Sequence, residues 1–319
     1  LLGDGGTLSF ASTGIKILSN LNALHNGGVT DVDGGGAADN ITGGAGHDVI
    51  FASDGDDMVS GNAGKDMIFG GSGFDTISGG EGNNLIFGDS GRIMSSLLER
   101  LAIGADGAGD VITSGGSKDI IIAGMGNDDV TAGAGDDLVL GGGGSDHLRG
   151  GAGMDDLRGG GQADRLEGGE NNDILDGGTG ADTVEGGGGD DLITATKGSD
   201  DLNGGQGSDT YRVNFSGGTT DSRITIVDAG DSGDVDLLEV NGTDRADRFL
   251  VRSDASGTNA FIAGLNGEFY VERVNYGATL ERLIVNGHGG DDIFAADDTA
   301  AEMTLNGGAG ADQFQIGQL

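Results

Sequence analysis

Cysteine is absent from the 319 residues, so neither a disulfide framework nor a thiolate metal site can form, and thiols give no reading of the redox compartment. Proline is absent as well, while glycine occurs 71 times, a composition that without pattern would point to disorder. Basic residues are scarce: 16 Lys and Arg stand against 53 Asp and Glu, a net charge of −37. Such a chain repels nucleic acid and anionic membranes and attracts cations, so cations are the implied partner. No run of 18 apolar residues suggests membrane insertion. The chain opens on Leu1-Leu2-Gly3-Asp4 without an initiator methionine or a basic-then-apolar leader, which reads as a piece of something longer, with any secretion signal expected elsewhere.

What is present is a period of nine. Its clearest copy is Gly150-Gly151-Ala152-Gly153-Met154-Asp155-Asp156-Leu157-Arg158, with glycine at positions one, two and four, aspartate at six and an apolar residue at eight. From Ala105 to Arg212 the unit recurs twelve times in register. Position six is Asp110, Asp119, Asp128, Asp137, Asp146, Asp155, Asp164, Asp173, Asp182, Asp191, Asp200 and Asp209. From Gly34 to Phe87 it occurs six times, with Asp39, Asp48, Asp57, Asp66, Asp75 and Asn84 at position six. Position eight is apolar in all eighteen units, from Ile41 to Tyr211. Length alone would suggest two ordinary domains, but fixed-period self-similarity outranks length and predicts a rod.

Around the two blocks the pattern loosens. Residues 1–33 read as a connector, where Ile15, Leu18, Leu21 and Leu24 suggest one side of a short helix. Residues 92–104 read as a helical insertion, with Ile93, Met94, Leu97, Leu98 and Leu101 spaced as an amphipathic helix over 92–102. The first repeat block thus spans 34–91 and the second 105–212. Residues 213–319 read as a continuation in longer coils, with strands expected at 223–228, 237–241, 248–252, 259–263, 268–274 and 280–285. Isolated copies of the unit there place Asp247, Asp292 and Asp312 at position six.

Nine residues divide into a six-residue turn and a three-residue strand, whose alternation points position eight inward and positions seven and nine outward. Glycine at one, two and four allows left-handed backbone and lets carbonyl oxygens approach a common point that a Cβ would obstruct. The aspartate at six adds anionic oxygens. Mixed carboxylate and carbonyl oxygens suit Ca²⁺, with its six to eight oxygen ligands, better than Mg²⁺, which demands near-ideal octahedral geometry; zinc is disfavoured without Cys or clustered His. Two units make an 18-residue coil, so aspartates of one parity stack along one edge about 4.8 Å apart. Unneutralised, neighbouring charges at that spacing repel by roughly 3 kcal/mol at an effective dielectric of 20. The narrow apolar core is too thin to offset this, so the fold is expected to require the ion.

The unit Gly-Gly-x-Gly-x-Asp-x-aliphatic-x, as in Gly43 to Phe51 and Gly177 to Glu185, resembles the repeats-in-toxin (RTX, hemolysin-type) calcium-binding motif over about half of the chain. The resemblance implies an all-β fold, a parallel β-roll or right-handed β-helix solenoid, here with short helical insertions, and multiple Ca²⁺ ions in the turns. It also implies export through a type I secretion channel and folding outside the cell. Val240-Asn241-Gly242-Thr243 and Val285-Asn286-Gly287 in the tail resemble segments of large bacterial surface and adhesin proteins. Asn84 at position six and Ala37, Ala108, Ser117, Gln162 and Asn171 at position four depart from the motif and put those turns in doubt.

No His-Glu-x-x-His, Gly-x-Ser-x-Gly or phosphate-loop pattern is present, and His25, His47, His147 and His288 fall at unrelated positions, so no enzyme is expected. Asp56, Asp129, Asp136, Asp156, Asp190 and Asp201 read as solvated acids. One outward face is apolar: Val49 with Phe51, Met67 with Phe69, Leu85 with Phe87, Ile120 with Ile122, and Leu138 with Leu140. That ladder calls for a cover, either the 92–102 helix or another molecule through Phe51, Phe69 and Phe87, by self-association or cell-surface contact. The expected function is a calcium-stabilised structural or adhesive rod of a secreted or cell-surface bacterial protein. The alternatives are the calcium-binding part of a type I-secreted enzyme and a self-assembling filament or surface-layer subunit.

Overall fold

A computed structural model describes residues 17–18, 29–31, 38–89, 108–216, 222–228, 230, 234–253, 259–266, 269–277, 279–297 and 301–317. Among them every regular element is a β-strand. The chain divides into two compact units, Leu1–Gly160 and Gly161–Leu319.

In the first unit successive strands go alternately to two sheets. One stacks Ile17–Leu18, Asn40–Ala45, Met58–Ala63, Thr76–Ser78, Val111–Thr113, Asp129–Ala134 and His147–Ala152. The other stacks Val29–Asp31, Val49–Asp54, Met67–Ser72, Leu85–Asp89, Ile120–Met125 and Leu138–Gly143, ending on the strand from Asp156. Pairing is parallel and in repeat register, as in Val130 opposite Leu148 and Ile50 opposite Ile68. This is the parallel β-roll the period predicts. Most of the strands are longer than three residues: Asp129–Ala134 pairs from position seven through position three of the next unit, because backbone bridging continues past the glycines.

Position eight makes the core. All eighteen such side chains, from Ile41 to Tyr211, are buried, while neighbours at seven and nine alternate outward. Thr76–Ser78 pairs directly with Val111–Thr113 and Leu85–Phe87 with Ile120–Ile122, so within this unit the stack continues across the break in the sequence.

In the second unit one sheet runs Arg165–Glu170, Thr183–Gly188, Asp201–Gln206, Ser222–Ile226, Phe269–Gly277, Asn259–Asn266, Arg248–Ser253, Ile293–Asp297 and Gln313–Ile316. Its companion runs Ile174–Gly180, Leu192–Ala195, Thr210–Asn214, Leu237–Asn241, Arg282–Asn286 and Glu302–Asn306. The six tail strands read from the sequence are all present, with ends shifted by a few residues. Asn259–Asn266, however, runs antiparallel to both neighbours, which inserts a hairpin strand into an otherwise parallel stack.

Two expectations change. Ile17–Leu18, inside the segment whose spacing suggests a helix, pairs as a strand with Asn40–Ile41, because the edge of that strand offers backbone hydrogen-bond partners. The rest of that segment and the 92–102 helix lie outside the described residues. The aromatic ladder stacks face to face, with centroids 4.6 Å apart for Phe51 and Phe69 and 4.7 Å for Phe69 and Phe87. Phe69 and Phe87 are 4% and 2% exposed, so two of the three rings are not open surface.

Candidate metal centre

The glycines of the unit do two different jobs. Positions two and four take positive φ, as at Gly142 (114°) and Gly144 (140°), a region costly for any residue with a Cβ. Gln162 and Asn171 keep this geometry at position four with φ of 81° and 77°, so those two departures leave the turn intact. Asparagine does the same at position two in Asn62 (75°). Position one answers to space instead. A Cβ on Gly61 would come within 2.5 Å of both Asp66 Oδ2 and the carbonyl oxygen of Gly79 in the next coil. Carboxylate and main-chain oxygens therefore converge on a pocket that only a missing side chain leaves free.

The position-six carboxylates stack as the parity argument predicts. In the first unit the amide of each donates to Oδ1 of its counterpart one coil on, along Asp39, Asp57, Asp75, Asp110, Asp128 and Asp146. The other edge runs Asp48, Asp66, Asn84, Asp119, Asp137 and Asp155. The bonds Asp75 to Asp110 and Asn84 to Asp119 span 35 residues where the others span 18, so the ladder carries on across the break. In the second unit Asp164, Asp182 and Asp200 form one run, and Asp173, Asp191 and Asp209 the other. All of these residues are buried.

Oδ1 is satisfied and Oδ2 is the open question. Among the described residues, Oδ2 of Asp39, Asp57, Asp66, Asp110, Asp137, Asp182, Asp191, Asp200, Asp209 and Asp292 is buried without a hydrogen-bond partner. Burying an anionic oxygen unpaired is strongly unfavourable. Burial accordingly pushes several carboxyls of this set up, against the pull of the ladder amide: to about 6 at Asp57, Asp137, Asp200 and Asp209, about 7 at Asp191 and about 8 at Asp110, where neighbouring Asp75 and Asp128 add to the rise. The donor set is oxygen only, carboxylate with carbonyl, which fits a hard cation of flexible coordination. A Ca²⁺ ion bound there would neutralise the stacked carboxylates and give each Oδ2 a partner.

Some sequence candidates fall short of this arrangement. Asn84 turns Nδ2 toward Gly80, 3.2 Å from its carbonyl oxygen, and so offers a donor where its neighbours offer Oδ2. Asp119 has Oδ2 closed by the Ser114 hydroxyl at 2.5 Å. In the tail the ladder bonds continue, with the amide of Asp247 on Asp292 Oδ1 at 2.8 Å and that of Asp292 on Asp312 Oδ1 at 3.0 Å, but of these three only Asp292 is fully buried. Asp247 is half-buried and its Oδ2 accepts from the amide of Thr243 at 2.6 Å, and Asp312 is half-buried. The acids read as solvated divide by position. At position five, Asp56, Asp136 and Asp190 each accept the amide one coil on, from Phe74, Met154 and Ser208 at 2.9 to 3.0 Å. They brace the turns from outside. Two acids escaped the sequence reading: Asp236 accepts the amide of Asp209 at 2.8 Å, and Glu281 accepts that of Asp236 at 2.9 Å. Only the Asp-x-aliphatic spacing of Asp236 to Leu238 signals this, since the glycines of the unit are missing there.

The nonapeptide geometry has a match among known families. The family model described as the RTX calcium-binding nonapeptide repeat matches residues 33–68, 60–92, 105–139, 140–175, 149–184 and 176–211, just over half of the chain. The chain belongs to this RTX repeat family. No curated protein matches it as a relative. The RTX matches begin and end with the buried position-six ladder, stopping at residue 211, before the coils change character.

Proposed function

We propose that this RTX chain is a calcium-stabilised structural or adhesive module of a secreted or cell-surface bacterial protein, that Ca²⁺ is held by the position-six aspartates, and that the module performs no catalysis. The observation that carries the reading is the run of buried, unpartnered Oδ2 atoms along both edges of the repeat stack. Such a stack is unfavourable where calcium is scarce, since the carboxylates repel and lack donors, and favourable where calcium is abundant. Ions that bind only the folded form stabilise it by RT ln(1 + [L]/Kd) each, so many weak sites suffice. Folding is thereby coupled to the compartment: the chain stays unfolded inside the cell and becomes stiff outside it.

The test is far-ultraviolet circular dichroism at neutral pH. The β signal is expected to collapse in chelator, to return with Ca²⁺ and to return poorly with Mg²⁺. A spectrum unchanged by chelation would overturn the calcium reading, and hydrolysis of a protein, lipid or polysaccharide substrate by the chain would overturn the non-enzymatic one.

A further inference from the structure

Just past the last full repeat, an aspartate stands where the unit uses glycine. The sheet register pairs Leu202 with Ile226, and Asp228 follows Ile226 by two residues as Gly204 follows Leu202. The Asp228 side chain is buried, as are those of Asp209 and Asp236, with exposures of 9%, 0% and 3%. One carboxylate oxygen from each lies within 4.8 Å of the other two.

Tyr211 frames the cluster. It is the one position-eight residue of the eighteen that is not aliphatic. Its hydroxyl accepts the amide of Gly204 at 2.6 Å and donates to Asp228 Oδ1 at 3.3 Å. Asp209 Oδ1 is taken by the amide of Asp191 at 2.8 Å, and Asp236 Oδ1 by the amide of Asp209 at 2.8 Å. That leaves Asp209 Oδ2, buried and without a hydrogen-bond partner, turned against Gly204, the residue whose amide holds the Tyr211 hydroxyl. Among the described residues none of the three acids is ion-paired to lysine or arginine. Asp228 also lines an open cavity of about 880 Å³ with Thr225 and Tyr276, which gives an ion a way in.

We propose that Asp209, Asp228 and Asp236 form a further cation site of three carboxylates at the end of the repeat ladder, sharing Asp209 with it, which takes Ca²⁺ and, more tightly, a trivalent lanthanide. Oxygens bound to one Ca²⁺ at about 2.3 to 2.6 Å can lie up to roughly 5 Å apart, as these do, whereas Mg²⁺ at about 2.0 to 2.1 Å draws its ligands closer. The absence of nitrogen and sulfur donors points to the same hard cations. The repeat turns combine one carboxylate per coil with main-chain carbonyls; this site adds a side-chain acid in place of a glycine, and the extra charge raises affinity. The inference goes beyond the RTX reading, because Asp228 and Asp236 lie outside the nonapeptide matches.

The test is a terbium titration of the full chain held in excess Ca²⁺, read by tyrosine-sensitised emission. The chain has three tyrosines and no tryptophan, so emission reports ions beside Tyr211 and few other places. Expected is emission that saturates at one equivalent, with apparent affinity lowered about tenfold or more in both Asp228→Gly and Asp228→Asn. Both variants are expected to keep the calcium-induced β signal, Gly because the preceding coil uses it here and Asn because it keeps the shape. Tyr211→Phe is expected to remove most of the emission while leaving the three carboxylates. Wild-type terbium affinity in both Asp228 variants, or no saturable emission from the wild-type chain, would overturn the site. The β signal reports the repeat ladder and the emission reports this site, so the failure of one reading is distinguishable from failure of the other.

Discussion

The repeat turns are fastened by stacked carboxylates, while the tail coils, where carboxylates still take amides at Asp236, Glu281, Asp292 and Asp312, add a second ladder of asparagines. In the repeats the coils are joined by carboxylates whose first oxygen takes an amide, and at Asp137 and Asp200 among others the second has no donor. In the tail the strands Thr210–Asn214, Leu237–Asn241, Arg282–Asn286 and Glu302–Asn306 end on stacked asparagines. Each Nδ2 there donates to the preceding Oδ1: Asn241 to Asn214 at 3.1 Å, Asn286 to Asn241 at 2.9 Å and Asn306 to Asn286 at 2.8 Å. Phe249, Phe294 and Phe314 stack alongside with centroids 5.1 and 4.9 Å apart. An amide carries its own donor and acceptor, so its ladder closes without charge; a carboxylate carries only acceptors, so its ladder waits for a cation. The lesson is that calcium dependence belongs to the choice of ladder residue and not to the solenoid.

The largest test of that contrast is hydrogen exchange by region. Chelation is expected to abolish protection in the repeat strands between 40 and 211 while strands 237–241, 282–286 and 302–306 keep most of theirs; uniform loss, or uniform retention, would break the comparison. Next comes pH. A carboxyl whose folded pKa is raised stabilises the fold below its unfolded value, about 3.9, and loses that contribution as pH rises through the folded value. With folded values of about 6 at Asp57, about 7 at Asp191 and about 8 at Asp110, the metal-free chain is expected to regain β signal on acidification from about pH 8 to about pH 5. In Ca²⁺ the sign reverses, because the ion takes the ionised form, so stability rises with pH over the same window. Thermal melts with and without Ca²⁺ across that range read both signs.

Smaller effects separate sterics from charge. The Cβ of Gly144→Ala would land on the carbonyl oxygen of Gly126 at a φ of 140°, whereas that of Gly188→Ala meets nothing within 4 Å. The first is expected to cost about 2 to 4 kcal/mol in Ca²⁺ and the second less than about 0.5 kcal/mol, by thermal or denaturant melts. Smallest is Asn241→Ala, expected to cost about 1 kcal/mol per lost hydrogen bond, equally in calcium and in chelator. A calcium-dependent loss there would erase the distinction between the two ladders.

Much of this was legible in the residues. Aspartate at six in seventeen of eighteen units and an apolar residue at eight in all eighteen dictate a coil of two units, an inward position eight and two acidic edges, because strand alternation leaves no other assignment. Asn84 was legible as a weak point, though not its reason, which is the direction of its Nδ2. Asp236 and Glu281 were not legible as ladder members, since the glycines that mark the unit are missing around them and only the stack puts them in line. Nor did alternation reveal the antiparallel strand Asn259–Asn266, for a strand pattern carries no direction.

Sequence alone thus determined the period, the core and the chemistry of the edges, all of which depend on residues within one or two units of each other. Tertiary structure decided what joins at long range: the ladder steps of 35 residues from Asp75 to Asp110 and from Asn84 to Asp119, the burial of Phe69 and Phe87, and the meeting of Asp228 with Asp209 and Asp236. The physical reason is that a short repeat fixes local geometry at every copy, while the point at which an interrupted stack resumes is set by which edge can continue its hydrogen bonds and bury its apolar row.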